Sequence, residues 1–149
     1  EIVSRDWSSD VCSSDLRDYR SPEIVLGMEY DYKIDYWSYG MSLYKLITGN
    51  YLIYVDKNDY NYDSDLINIK LFLDNFDNFN KNELIKIINK SPKKNMIINK
   101  NGTFKYIKQL NNNIWIDKLK CLNIDEEICN YINQLLQINP HTRNFIKIK

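Results

Sequence analysis

The sequence predicts a mainly α-helical chain, and three observations carry that reading. Apolar residues return at helical spacing from Ile34 to Thr48. Two other segments open with helix-start chemistry, at Ser21-Pro22-Glu23 and at Asp125-Glu126-Glu127. Only one short stretch, around Asn101-Gly102, reads as paired strands. With 149 residues the chain can bury one core, so a single domain is expected.

Residues 1–16 differ from the rest: they are rich in Ser and Asp and lack the Asn/Lys/Ile bias that follows. Ser4 to Leu16 resembles the translation of a sequencing adapter, and a natural Ser/Asp-rich disordered leader would share its composition. The fold is therefore read from residue 17 onward, as one partial domain over 17–149. Ser21 supplies a capping hydroxyl, Pro22 suits the first helical position, and Glu23 places an acid in the first turn. Ile24, Val25 and Leu26 follow, and Gly27 can end this short helix. Tyr30 to Lys33 is a polar, aromatic loop.

In the next helix Ile34, Trp37, Met41, Tyr44 and Ile47 share a face, which Leu43 and Leu46 widen. So broad an apolar surface predicts burial on most sides, with Gly49 closing the helix. Asp56 to Asp65 is an acidic, Asn/Tyr-rich loop. A helix is expected over Leu66–Phe76, where Leu66, Ile69, Leu73 and Phe76 align. Another is expected over Asn82–Lys90, stopped by Ser91-Pro92. Met96-Ile97-Ile98 and Phe104-Lys105-Tyr106-Ile107 flank Asn101-Gly102 as the arms of a small hairpin. Asp125 is the expected N-cap of a last helix, lined by Ile128, Ile132, Leu135 and Leu136 until Asn139-Pro140.

Composition excludes several functions. Twenty basic and twenty acidic side chains cancel, so no net field favours direct binding to nucleic acid or to an anionic membrane. Charges and amides interrupt every apolar run before it reaches the length of a membrane span. Glu1 to Leu16 has neither the basic start nor the apolar stretch of a signal peptide. Cys12, Cys121 and Cys129 have no metal-ligand spacing and His141 is the single histidine, so no metal site is expected. Free thiols of this kind fit a reducing cytoplasm or nucleus. The heavy use of Asn, Lys, Ile and Tyr reads as drift from an AT-rich genome.

Three short motifs give the chain a family likeness. Tyr19-Arg20-Ser21-Pro22-Glu23 resembles the Ala-Pro-Glu motif that closes a protein kinase activation segment, in its CMGC-group form. Asp35-x-Trp37-Ser38-x-Gly40 resembles the Asp-x-Trp-Ser-x-Gly motif of the kinase central helix, and Asn139-Pro140-x-x-Arg143 the Asp-Pro-x-x-Arg motif near the domain's end. Each alone recurs by chance; their order and separation make the set specific. Tyr51-Leu52-Ile53 after Thr48-Gly49-Asn50 resembles the Thr-Gly-Asp-Tyr-Leu-Phe run of SR-protein kinases. Asp63-Ser64-Asp65-Leu66 stands where those kinases carry an acidic tetrad, and Lys100 to Leu110 is similar to their Gly-x-Leu-x-His-Ile-x-x-Leu segment. The likeness implies the lower part of a truncated kinase C-terminal lobe. Departures are Asn139 for the usual Asp, Phe72 where a docking acid is expected, and no counterpart of the closing His-Pro-Trp.

The resemblance also implies roles, each beside a plainer one. Asp35, with Trp37, would anchor the catalytic loop by accepting backbone amide bonds; otherwise Asp35 is an acid facing the helix dipole. Glu23 and Arg143 would form a buried ion pair, as opposed to two separate surface charges. Arg20 would brace the activation segment and Tyr19 begin the pocket beside the phosphorylated serine; the plain alternative is a solvated Arg and a packed Tyr. Asp63 and Asp65, with Asp56 and Asp59, are candidates for docking an Arg/Ser-rich protein substrate, or are a solvated loop. The parent enzyme would use ATP and Mg.

Phosphate transfer requires a Gly-rich phosphate cover, a strand lysine, a catalytic-loop Asp and an Asp-Phe-Gly metal ligand. No Gly-x-Gly, His-Arg-Asp or Asp-Phe-Gly string occurs in the 149 residues. No catalytic residue is therefore assigned, and the fragment is expected to be inactive and to bind no nucleotide. The competing reading is a pseudokinase-like interaction module.

Overall fold

The computed structural model describes residues 17–54, 68–69, 71–72, 81–101, 103, 105 and 114–145, excluding the side chains of 81–85 and 114. A 3₁₀ turn, Arg17–Tyr19, leads into a single-turn helix, α1, Pro22–Val25. The long helix α2 runs Lys33–Thr48. It is followed by α3 (Lys81–Lys90), α4 (Lys94–Ile97), α5 (Ile114–Cys121) and α6 (Glu126–Leu135). Residues 68–69 and 71–72 are helical, while Leu66, Leu73 and Phe76 of the helix expected there lie outside the described residues.

Helix ends follow local chemistry, with one exception. Gly27 and Gly49 take left-handed φ values of 65° and 71°, where a side chain would be strained, and end α1 and α2. Asp125 caps α6 by accepting a bond from the Glu127 amide at 2.7 Å. Ser21 stands at the N-cap of α1 but makes no capping bond; its hydroxyl is buried without a partner. The helix is held by its other end, where Ser91 Oγ donates to the Leu26 carbonyl at 2.7 Å. The α2 start is capped from outside the helix: Asp31 Oδ1 accepts the Lys33 amide at 2.9 Å.

The core gathers around α2. Trp37, Met41 and Tyr44 are buried and meet Val25, Leu26, Ile53, Trp115, Leu119, Ile132 and Leu136. Trp37 packs edge-on against Phe72, with centroids 5.5 Å apart, and Tyr44 against Trp115 at 6.3 Å. Helix α6 crosses α2 so closely that a Cβ on Gly40 would stand 2.9 Å from Leu135 Cβ. Burial covers most of the helix, as the apolar pattern predicts: only Asp35, Tyr39, Ser42 and Leu46, a single stripe, are exposed. Leu46 on that stripe is 80% exposed, while Tyr39 is 44% exposed and flanked by the rings of Phe145 and Tyr131.

Of the hairpin expected around Asn101-Gly102, residues 102, 104, 106 and 107 lie outside the described residues. Met96 and Ile97 lie in α4, and the return bonds are Asn99 N to Thr103 O at 2.7 Å and Lys105 N to Ile97 O at 2.9 Å. Asn101 Oδ1 accepts bonds from the amide and hydroxyl of Thr103, so side chains stabilise the turn. No described helix is long and apolar enough to cross a membrane.

Candidate functional site

Arg143 is fully buried, yet its guanidinium has five oxygen contacts for its five N–H groups. Nη1 donates to Glu23 Oε1 at 2.6 Å and to the Lys33 carbonyl at 2.8 Å. Nη2 donates to Glu23 Oε2 at 3.0 Å and to the Ile138 carbonyl at 3.4 Å, and Nε to the Gln137 carbonyl at 2.9 Å. The planar fork thus grips both carboxylate oxygens and still ties α1, the start of α2 and the turn after α6. Its guanidinium carbon Cζ lies over the Trp37 ring, 5.2 Å from the centroid. The structure brings Glu23 and Arg143 together as a buried pair; Glu23 is 2% exposed.

The turn that presents Arg143 begins at Asn139. Its Oδ1 accepts the His141 amide at 3.0 Å, and its carbonyl accepts the Thr142 amide at 3.1 Å and hydroxyl at 2.9 Å. An amide oxygen can accept such a bond in place of a carboxylate, which gives Asn139 a physical role at the position where the family motif has Asp.

Tyr19 to Glu23 are held against α2 at two further points. Ser38 Oγ lies 3.2 Å from both the Tyr19 and Ile34 carbonyls and so links the 3₁₀ turn to the helix. The Tyr19 ring meets Tyr51 edge-on with centroids 6.0 Å apart, and Lys45 Nζ sits 3.7 Å from the Tyr51 centroid. Hydrogen bonding to Tyr51 raises the Lys45 pKa above its ordinary value, with Tyr19 adding to the effect. Arg20 is half-buried and engaged, and Pro22 is buried at the first position of α1.

Asp35 and Trp37 part company. Trp37 lies in the core at 0% exposure, whereas Asp35 is exposed in the first turn of α2 without a side-chain hydrogen bond among the described residues. Asp56, Asp59, Asp63 and Asp65 lie outside the described residues. Phe72, at the position of an expected docking acid, is 5% exposed and is part of the core.

Residues 4–147 match the family model of the protein kinase domain. The chain belongs to the protein kinase family. Among curated relatives, the serine/threonine-protein kinase SRPK of Physarum polycephalum is 32% identical over 106 residues, 70% of this chain and 24% of that protein. The serine/threonine-protein kinase prpf4B of Dictyostelium discoideum is 56% identical over 36 residues, 24% of this chain and 4% of the relative. AFC3 of Arabidopsis thaliana, also a serine/threonine-protein kinase, is 38% identical over 60 residues, or 36% and 15% of the two chains. The chain therefore spans less than a quarter of the length of each of these relatives. The SR-protein-kinase likeness is supported by the match to the Physarum SRPK.

For a kinase, ATP and Mg are the implied ligands, and the described residues do not fit them. No group of three or more His, Cys, Asp or Glu side chains among them is placed to hold a metal ion. The three described glycines are engaged elsewhere: Gly27 and Gly49 end helices, and Gly40 lies at the α2–α6 crossing.

The sequence marked Gly40 only as a motif member and Ser91 only as a helix stop, and it did not single out Asp31; the positioning roles of all three come from the structure. Asp31 had a local signal, an Asx residue two positions before the first helical amide. Gly40 and Ser91 act on segments far away in sequence, and no spacing rule reaches across those gaps.

Proposed function

We propose that this chain is the substrate-side scaffold of a longer serine/threonine kinase. The parent would use Mg-ATP to transfer the γ-phosphate to serines of Arg/Ser-rich proteins, in the cytoplasm or nucleus. The observation that carries the reading is the Glu23–Arg143 lock, which fixes the Tyr19–Glu23 segment against α2 in a chain that matches the kinase domain over 4–147. Asp35, exposed at the start of α2, is free to accept amide bonds from a catalytic loop supplied by the rest of that kinase. The serine/threonine-protein kinase relatives, SRPK above all, support serine/threonine transfer and an Arg/Ser-rich substrate class. The 149 residues alone are proposed to transfer no phosphate, since the motifs that hold nucleotide and metal do not occur in them.

The test is to express the full-length protein encoded at the locus and incubate it with Mg-ATP and an Arg/Ser-repeat peptide, with phosphoserine read by mass spectrometry. Transfer by that protein and none by the 149-residue chain is expected. Preference for a serine peptide without arginine would overturn the substrate class. An encoded protein whose catalytic-loop and metal-ligand aspartates are replaced, and which transfers nothing, would establish the interaction-module reading instead.

A further inference from the structure

The chain is neutral overall, but its charges are not evenly spread: residues 81–105 hold seven lysines and one acid, Glu83. Six of these lysines stand on connected elements. Lys86 and Lys90 are one turn apart on exposed positions of α3, Lys93 and Lys94 open α4, and Lys100 is at the tip of the turn that follows. Lys105 returns along α4, where its Nζ donates to the Asn95 carbonyl at 2.6 Å. Like charges at i, i+4 destabilise a helix, so the Lys86/Lys90 pair carries a folding cost that a bound anion would remove. The face is also firmly placed. Ser91 Oγ holds the α3–α4 turn to the Leu26 carbonyl, and Pro92 lies 3.3 Å from where a Gly27 Cβ would stand. A partner seated on it would be held beside the end of α1.

We propose that this lysine face, from Lys86 to Lys105, docks an Asp/Glu-rich segment of a partner protein. The face offers point charges without the arginine forks that suit phosphate, and among its described residues no exposed aromatic ring is available to stack a base. Those features favour carboxylates over nucleic acid. An Arg-rich substrate would be repelled here, so the partner is distinct from the proposed substrate, and the inference does not depend on phosphate transfer.

The experiment measures fluorescence anisotropy of labelled oligoglutamate added to the full chain at low salt, with oligoglutamine of equal length as control. Oligoglutamate should bind more tightly and lose affinity as salt rises. The triple reversal Lys90→Glu, Lys94→Glu, Lys100→Glu should weaken binding by about tenfold or more, since exposed interface charges act most strongly at low salt. Lys118→Glu with Lys120→Glu, on exposed positions of α5, should change it far less. If the triple reversal melts earlier than the parent chain, the Lys→Gln versions at the same positions replace it. Equal binding of the two peptides, or binding indifferent to the substitutions, would overturn the proposal. So would single-stranded RNA of matched charge displacing oligoglutamate, which would assign the face to nucleic acid.

Discussion

At the scale of single residues, Arg143 shows why a buried charge is tolerated. An unpaired guanidinium in the core would be very costly, but here every N–H group meets an oxygen. Lysine in its place would keep the charge, lose the fork, and leave Glu23 buried with poorer donors. Arg143→Lys is therefore expected to lower the free energy of unfolding by roughly 3 kcal/mol, near the range for a broken buried pair. Urea denaturation of the full chain checks this, and a loss under about 1 kcal/mol would indicate the weak coupling of exposed pairs. Sequence named both partners, through motif likeness. What it could not name were the three backbone carbonyls that complete the set, because carbonyls carry no side-chain signature. Ser21 failed in the opposite direction: its residue type signals a cap, while its environment gives the hydroxyl no partner.

At the scale of elements, α2 and α6 were legible because both repeat apolar residues at 3.6-residue spacing, and α6 also has its Asp125 cap. The short α4 was not, since four residues are too few to show a period. Nor does periodicity reveal how near two helices come. Gly40 sets that distance. Alanine there would gain roughly 1 kcal/mol of helix propensity, yet its Cβ would meet Leu135 Cβ and Leu136 Cδ2, each at 2.9 Å. A Cβ cannot rotate away, and overpacking of this kind costs about 1–3 kcal/mol. Gly40→Ala should consequently lower the melting temperature followed by circular dichroism; a rise would show that α6 can shift outward without cost.

At the scale of the molecule, several titrations share one direction. Burial pushes up the Tyr44 and Tyr131 hydroxyls and the Cys129 thiol, and Tyr51 pushes up Lys45. Each folded pKa lies above the ordinary value, so the folded chain keeps protons that the unfolded chain releases first. Their contribution is intact below the ordinary values, 9.0 for the thiol and 10.0 for the tyrosines, and is lost as pH rises past them. The melting temperature should stay level from neutral pH to about 9 and then fall. A series of melts from pH 7 to 11 would show it, and a level or rising profile through pH 11 would contradict the burial of these groups.

The two ends of the Glu23–Arg143 lock are 120 residues apart. A ribosome adding about 5–20 residues per second makes the arginine roughly 6–24 s after the glutamate. During that interval α1 has no partner for its carboxylate, and no earlier arginine in the chain follows it, since Arg17 and Arg20 both precede Glu23. Completion of the tie thus waits until that arginine has been made. A nascent chain stopped anywhere before Arg143 would carry a glutamate destined for the interior and no arginine fork to receive it, which makes that chain a natural target for chaperone retention or proteolysis.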